Sequence, residues 1–450
     1  MQPLNLQEMS TAMDGRILGD MRIPSATSVC TDSRHVREGC VFIALRGPNF
    51  DGHAFVAEAL EKGAVAAVVS ELGCVPDELH ESGRLIHVAD TLIALGRLAA
   101  WYRTQFAAEV IAVVGSNGKT TTKDMIAAVL GVKRRGQAAQ GSFNNAVGVP
   151  LTLLSVERAD EFVVVEIGTN HPGEVTALAR IARPDVAVIT SIAEEHLEFF
   201  GNIEAVAGEE FSILANMGKR AFVAMSDQAA RYLPEDAAKQ FTKLVYGLSE
   251  GADLWAKDVV ADGDGQSFKV NGRFDYRIPV HGKHNVVNAM AAIAIATRMR
   301  MTPEQIAEGL LKIKMPPMRM NVTRIGAMTL INDAYNANPG SMRAAFDVLD
   351  SIDQPGRKII IVGDMRELGT AHSIIAVGSY ARVFVDGATA VAGTSKRIYS
   401  FPSVEALSEK LASLIEPDDV VLIKASRGSQ LERLVEPLRA IALQSAASAS

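Results

Sequence analysis

The chain has 450 residues, 48% of them hydrophobic and 22% charged, with a formal net charge of −7. At about 150 residues per domain this length suggests about three cores, and the balance of apolar and charged residues excludes a disordered chain. An acidic protein whose longest Lys/Arg run is "KRR", Lys133 to Arg135, offers no field for a nucleic acid backbone, so no nucleic acid partner is expected.

The first residues, "MQPLNLQEMSTAMDGRI", lack a basic segment followed by an apolar one, and no apolar run approaches the roughly 18 residues of a membrane span. No signal peptide and no membrane insertion are expected, and a cytoplasmic location follows. Cys30, Cys40 and Cys74 form neither a C-x-x-C pair nor an even framework, so they are expected as reduced, buried small hydrophobes. Up to about Gly83, the stretches "CVFIAL" and "AVAAVVS" and a helix at His53 to Lys62 predict a small α/β unit. "TLIALGRLAAWYRTQF" then spaces Leu92, Leu95, Leu98 and Trp101 at helical intervals. This predicts a connecting helix and a boundary near residue 85.

From Glu109 to about Ile313, unbroken apolar runs alternate with helical stretches: "VIAVVG", "EFVVVEIG", "VAVITSI" and "RAFVAM" read as strands buried on both faces. A parallel sheet covered by helices is the expected result. "HNVVNAMAAIAIATRM" predicts a long helix on that sheet. "MTPEQIAEGLLKI" predicts another, with Thr302 as N-cap, Pro303 in the first turn and Gln305 completing a capping box. Two prolines in "KMPPMRMN" place a second boundary near residue 314. Beyond it "RKIIIVGD", "TAVAG" and "VVLIKAS" again predict parallel strands. The expected class is therefore α/β in three domains, residues 1–84, 85–313 and 314–450.

The stretch "VVGSNGKTTTKDM", Val113 to Met125, carries the clearest chemistry. A strand that turns through glycines into a helix presents free N–H groups and a positive dipole end, which suits phosphate. Gly115, Ser116, Asn117 and Gly118 form the turn, Lys119 adds a point charge, Thr120 offers a hydroxyl to Mg²⁺, and Thr121 follows. Val113 stands where the usual longer motif has its first glycine, so this is a shorter G-x-x-G-K-T variant of a nucleotide triphosphate cradle. Metal ligands should end neighbouring strands at the same edge. Glu166 after "EFVVV" and His196 in "AEEHLEFFG" are the candidates. Asn285 and Asn288, one helical turn apart, could read a base edge or serve in capping, and "NDAYNANPGSM" gathers Asp333, Tyr335, Asn336 and Asn338 before a helix start.

Taken together, "GSNGKTTTKDM", "GSFNNAVGVPLTLL", "EIGTNHPGE", "EHLEFFG", "HNVVNAMAAIAIA", "DAYNANPGSM", "GDMRELG" and "KASRGSQ" resemble, in order, the segments of the Mur ligase family. "DAYNANP" and "GDMRELG" are most similar to its D-alanyl-D-alanine-adding branch, whereas the phosphate loop alone is shared with folylpolyglutamate synthases. The resemblance implies a first domain for the UDP end of the substrate, a central P-loop ATPase domain, and a Rossmann-like third domain for the incoming dipeptide. It implies ATP and Mg²⁺ as cofactors, and UDP-N-acetylmuramoyl-tripeptide and D-alanyl-D-alanine as substrates joined through an acyl phosphate. Nothing argues against a monomer.

By the same resemblance, Lys119, Glu166 and His196 are catalytic, with Thr120, Glu166 and His196 at the metal. Arg319 reaches the nucleotide phosphates, Asp333 holds the ribose, and Asn285 and Asn288 lie at the adenine. Ser33, Arg34 and Arg46 are implied at the uridine diphosphate, and Asn144 or Asn145 at the sugar peptide. Many relatives carry a lysine, carbamylated in use, where this chain has Glu210, so its carboxylate is expected to offer the same charge to a second metal. Met318 stands where the family has glycine, before Arg319. A nucleotide-driven switch is the reading from a different class.

Overall fold

The computed structural model describes residues 1–20, 25–218, 221–262, 264–363, 373–379, 381–382 and 397–447. Among the described residues three large sheets, of five, nine and six strands, follow one another along the chain, beside two two-stranded ribbons, in keeping with the expected α/β class. The stretches "TAVAG" and "GDMRELG", apart from Gly363, lie outside the described residues.

The first sheet orders its strands Arg16–Gly19, Ser82–His87, Ala66–Val69, Cys40–Ile43 and Ser28–Cys30, with the last four parallel. Strand Ser82–His87 runs through the boundary expected at 84/85, which must move beyond His87. Ser82, Gly83 and Arg84 look like turn residues. The Arg84 guanidinium, however, donates to the carbonyls of Leu60 and Ala64 at 2.9 and 2.5 Å, so it stays in the sheet. Helix Thr91–Tyr102 follows, its first turn capped by Asp90, which accepts from the Ile93 N–H at 2.8 Å. Leu95, Leu98 and Tyr102 are fully buried, but Leu92 is 41% exposed, so the stripe is rotated from the expected one. The helix packs against helices Gly148–Leu154 and Glu174–Ala182 of the middle unit.

In the nine-stranded sheet, Gly136–Ala138, Phe162–Glu166, Glu109–Val114, Val186–Ile189, Phe222–Ser226, Thr242–Gly247 and Leu254–Asp262 are parallel neighbours in that order. Side chains alternate across a strand. Accordingly Val110, Ala112 and Val114 enter one core while Ile111 and Val113 enter another, on the opposite face. That is why these strands read as unbroken apolar runs. The strands Gly265–Val270 and Phe274–Ile278 add an antiparallel meander that the parallel reading missed. Its signal is present in "VNGRF": Asn271 and Gly272 both have positive φ, 49° and 68°, as a tight hairpin requires.

The third sheet orders Asn321–Ile325, Met328–Asp333, Val420–Lys424, Lys358–Val362, Ser373–Val377 and Arg397–Phe401. All neighbours are parallel except the first pair, an antiparallel hairpin. Ile359 and Ile361 face one core, Ile360 and Val362 the other. The capping box of Thr302 and Gln305 is formed as expected, and a second one links Asn338 to Ser341. Of the three thiols, Cys40 is buried, Cys30 half-buried and Cys74 exposed, which corrects the expectation of burial for two of them. Among the described residues no helix is long and apolar enough to cross a membrane.

Candidate active site

Strand Glu109–Val114 lies between Phe162–Glu166 and Val186–Ile189. The chain places its next two strands on one side of it and the following one on the other, which makes its C-terminal end a switch point. There Gly115 to Gly118 turn into helix Lys119–Leu130. Gly115 has φ +120°, and a Cβ on it would lie 2.4 Å from Thr190 Oγ1. Gly118 has φ +84°, and its Cβ would meet Asn288 Oδ1 at 2.5 Å. Only glycine fits either place. The neighbouring strand end holds the turn: Thr190 Oγ1 donates to the Asn117 carbonyl at 2.6 Å, the Asn117 N–H to Ser191 Oγ at 2.9 Å, and the Ser116 N–H to the Ser191 carbonyl at 2.8 Å. No side chain caps the helix, so its first N–H groups remain for an anion.

This loop floors a cavity of about 840 Å³. Ser116, Asn117, Gly118, Lys119, Thr120 and Thr121 line it, with Glu166, Glu195 and His196 from the middle unit and Arg319, Asp333, Tyr335, Asn338 and Lys424 from the third. Lys119 Nζ is folded back onto the Gly115 and Ser116 carbonyls, at 2.5 and 3.3 Å. Burial pulls its pKa down most, but Glu195, Glu210 and Glu166 together outweigh it, and the ammonium is held above its ordinary value.

Glu166 is 1% exposed. Its Oε1 accepts from Thr120 Oγ1 at 3.1 Å and Asn144 Nδ2 at 2.9 Å, while Oε2 is buried with no hydrogen bond and lies 4.0 Å from Lys123 Nζ. Glu195 Oε1 is likewise buried without a hydrogen-bond partner. Enclosed carboxylate oxygens left unpaired are costly unless a cation joins them. The Thr120 hydroxyl is bonded to Glu166, and Glu195 and His196 line the same cavity; these donors suit a hard divalent ion in kind, although the side chains of Glu166, Glu195 and His196 are not gathered around one point. His196 itself has φ +49° and starts the short helix Leu197–Phe200. Glu195 was not anticipated, although "AEEHLE" sets two acids directly before the histidine; Glu194 points to solvent.

From the third unit, Arg319 lies over the Tyr335 ring at 3.9 Å. Asp333 is paired with Lys424 Nζ at 2.7 Å and accepts from the Met320 N–H at 3.0 Å. Met318 and Met320, flanking Arg319, have φ +58° and +49°, so the non-glycine residue adopts the left-handed backbone at a cost. Asn338 Nδ2 donates to Asn117 Oδ1 at 2.7 Å, and Tyr335 Oη to Ser142 Oγ at 2.5 Å. Neither cross-contact was foreseen, since nothing in sequence links residues so far apart.

The remaining expected site residues have the following surroundings. Asn285 and Asn288 are buried and turned to each other at 3.1 Å. Asn288 also accepts from Thr122 Oγ1 and Asn285 donates to the His281 carbonyl, so the pair braces the glycine turn, while both residues line the cavity and each amide keeps one N–H outside these bonds. Asn144 and Asn145 both line the cavity; Asn145 Oδ1 accepts from the Val147 and Gly148 N–H groups as a turn cap, and Asn144 Nδ2 donates to Glu166. Ser33, Arg34 and Arg46 do not line this cavity. Arg34 is paired with Asp32, and Arg46 with both Asp51 and Glu71, so each guanidinium already has acidic partners.

Glu210 lies deeper than the other expected acids. It is fully buried beneath the loop and does not line the cavity; its Oε2 accepts from the Gly115 N–H at 2.8 Å, while Oε1, like oxygens of Glu166 and Glu195, is buried without a hydrogen bond. Burial pushes its carboxyl up to about 7, against the pull of Lys119. A raised carboxyl pKa means the folded state holds the proton more tightly, so this contribution to stability is complete below about 4.5 and is lost as pH rises through about 7. Glu210→Gln is therefore expected to stabilise the free protein at pH 8, by on the order of 3 kcal/mol, with the gain vanishing near pH 4. Urea unfolding at the two pH values measures it.

Three family models match in sequence: "Mur ligase family, catalytic domain" over residues 25–103, "Mur ligase middle domain" over 113–296, and "Mur ligase, glutamate ligase domain" over 318–427. The chain is 38% identical over 429 residues to the UDP-N-acetylmuramoyl-tripeptide–D-alanyl-D-alanine ligase of Bacillus subtilis (strain 168), covering 91% of this chain and 92% of that one. Its fold is similar to the crystal structure of MurF from Acinetobacter baumannii, with a TM-score of 0.85, 31% identity, and coverage of 97% of this chain and 99% of that one. It also resembles MurF ligase from Thermotoga maritima in complex with ADP, with a TM-score of 0.78, 27% identity, and coverage of 93% and 99%. The chain belongs to the Mur ligase family, and it groups with that family's UDP-N-acetylmuramoyl-tripeptide–D-alanyl-D-alanine ligases.

Proposed function

We propose that the chain joins D-alanyl-D-alanine to UDP-N-acetylmuramoyl-tripeptide at the expense of ATP, in the assembly of peptidoglycan precursors. The observation that carries this reading is the single cavity in which a phosphate loop on one sheet faces Arg319 and Asp333 from another. The names of the Bacillus and Acinetobacter relatives and the ADP bound to the Thermotoga neighbour support it. Substrates built on UDP and ATP put the work in the cytoplasm, and we expect a monomer.

In this reading the glycine turn and the uncapped helix end receive the triphosphate, and Lys119 turns from the Gly115 carbonyl onto its outer oxygens. The tripeptide's terminal carboxylate forms a bond to the γ-phosphorus as the bond to the β-γ bridging oxygen breaks, releasing ADP and leaving an acyl phosphate. The dipeptide's amine then bonds to the acyl carbon, the carbon–oxygen bond to phosphate breaks, and phosphate and a proton leave. Like charges meet in the first step, and Lys119 and Arg319 stand where they can offset them. Mg²⁺, held by Thr120, Glu166, His196 and Glu195, would add positive charge against the phosphate oxygens. Asp333 is set by Lys424 where it can accept from the ribose. The 1–84 unit, extended to His87, is assigned to the UDP end, and residues 314–450 to the dipeptide.

Phosphate release from ATP, measured with each substrate alone and with both, tests the proposal. Sustained release only with both is expected. Equal turnover with neither would replace this reading by that of a nucleotide switch.

A further inference from the structure

Arg319 lies on the same cavity as the phosphate loop, yet it is carried by another sheet and is only half-buried. A free arginine samples many rotamers, so something must hold its charge over the loop. Its guanidinium carbon sits 3.9 Å from the centre of the Tyr335 ring. The Tyr335 N–H donates to the Met318 carbonyl at 3.1 Å, tying the two segments together next to the arginine. The ring therefore makes a platform for the cation.

The platform is itself attached across the units. Tyr335 Oη donates to Ser142 Oγ at 2.5 Å. Ser142 belongs to a loop fixed from the phosphate helix: Lys123, fully buried, donates from Nζ to the carbonyls of Ala139 and Gly141 at 2.7 and 2.6 Å. On the other side, Lys424 Nζ donates to the Asn336 carbonyl at 2.6 Å, steadying the segment that carries Tyr335. A continuous set of contacts thus runs from the helix that starts at Lys119 to the guanidinium of Arg319.

We propose that Tyr335 is a positioning residue that seats Arg319 over the phosphate loop through its ring, and that its hydroxyl, bonded to Ser142, makes that seat depend on docking of the third unit against the middle one. The inference rests on the cavity receiving a nucleoside triphosphate, and it assigns to Tyr335 a role distinct from contact with that ligand. The arginine's charge then reaches the phosphates only in the docked arrangement.

The test is binding of a non-hydrolysable ATP analogue by calorimetry, with KM for ATP and kcat beside it, in a set of variants checked for unchanged melting. Tyr335→Phe keeps the ring and loses the bond to Ser142; Ser142→Ala loses the same bond. Each is expected to weaken analogue binding about fivefold, and the double variant no more than either alone. Tyr335→Leu loses ring and bond together and is expected to cost about tenfold or more. In an Arg319→Ala background Tyr335→Leu should add no further loss.

The proposal is overturned if the Tyr335→Leu factor persists in the Arg319→Ala background, or if the effects of Tyr335→Phe and Ser142→Ala multiply. Binding of the analogue does not need ligation. A protein that bound it but failed to join the two substrates would therefore sink the functional reading alone, and the variant set would still decide this one.

Discussion

Lys119→Ala is expected to lower the rate of ATP-dependent ligation by about three decades while leaving affinity for the UDP substrate within about twofold. The carboxylate that attacks the γ-phosphorus approaches a like charge. One unscreened pair at 4 Å costs about 4 kcal/mol at an effective dielectric near 20, which is about a thousandfold in rate. Lys119 is held protonated by the surrounding carboxylates, and its Nζ now rests on the Gly115 carbonyl, a short swing from the helix end. Removing it leaves the glycine turn in place, because Thr190 and Ser191 hold that turn from the adjacent strand. Single-turnover phosphate release together with UDP-substrate calorimetry measures the two quantities. A loss shared equally between them would point to a damaged fold.

The second large effect is expected at Glu166. Its Oε1 is occupied by Thr120 and Asn144, and its buried Oε2 has no hydrogen bond. Glu166→Gln preserves the shape and an acceptor but puts an NH₂ where the free oxygen was, toward Lys123 Nζ. Affinity for Mn²⁺ in the presence of ADP, followed by electron paramagnetic resonance, should fall at least tenfold, and kcat by about two decades. Unchanged Mn²⁺ affinity would remove Glu166 from the cation site. Glu195→Gln, which leaves Glu166 in place, should show a smaller loss in the same measurement.

Residues whose chemistry is local in sequence could be read directly. The phosphate turn is a strand, two glycines and a helix in succession, and its backbone demands are met within a few positions at Gly115 and Gly118. Glu166 could be placed because a strand delivers its last side chain to the sheet's edge, and its pairing with Val113 puts that edge beside the turn. The alternating burial of Val110 to Val114 likewise follows from an unbroken apolar run.

What escaped the sequence depends on partners far away along the chain. Asn285 and Asn288 have the donors and acceptors of a base reader, and part of that capacity goes to Thr122, His281 and each other, which the sequence did not show. Arg46, expected at the uridine diphosphate, is flanked by Asp51 and Glu71, a pairing the sequence did not show. Glu210 sits at the spacing expected of a metal-facing carboxylate, and the sequence did not show that one of its oxygens is bonded to the Gly115 N–H while the other stays unpartnered. In the same way Lys424, ending an apolar strand in "VVLIKAS", reads as a strand terminus until Asp333 and Asn336 appear beside it.

If the glycine turn and Lys119 serve to activate an acid, the oxygen that leaves with phosphate must come from the tripeptide. Ligation should therefore be run with ¹⁸O in the terminal carboxylate of UDP-N-acetylmuramoyl-tripeptide, and the released inorganic phosphate examined by mass spectrometry. One ¹⁸O atom per phosphate formed is the predicted result. Phosphate free of label, with D-alanyl-D-alanine joined at the normal rate, would contradict acyl-phosphate formation in this cavity.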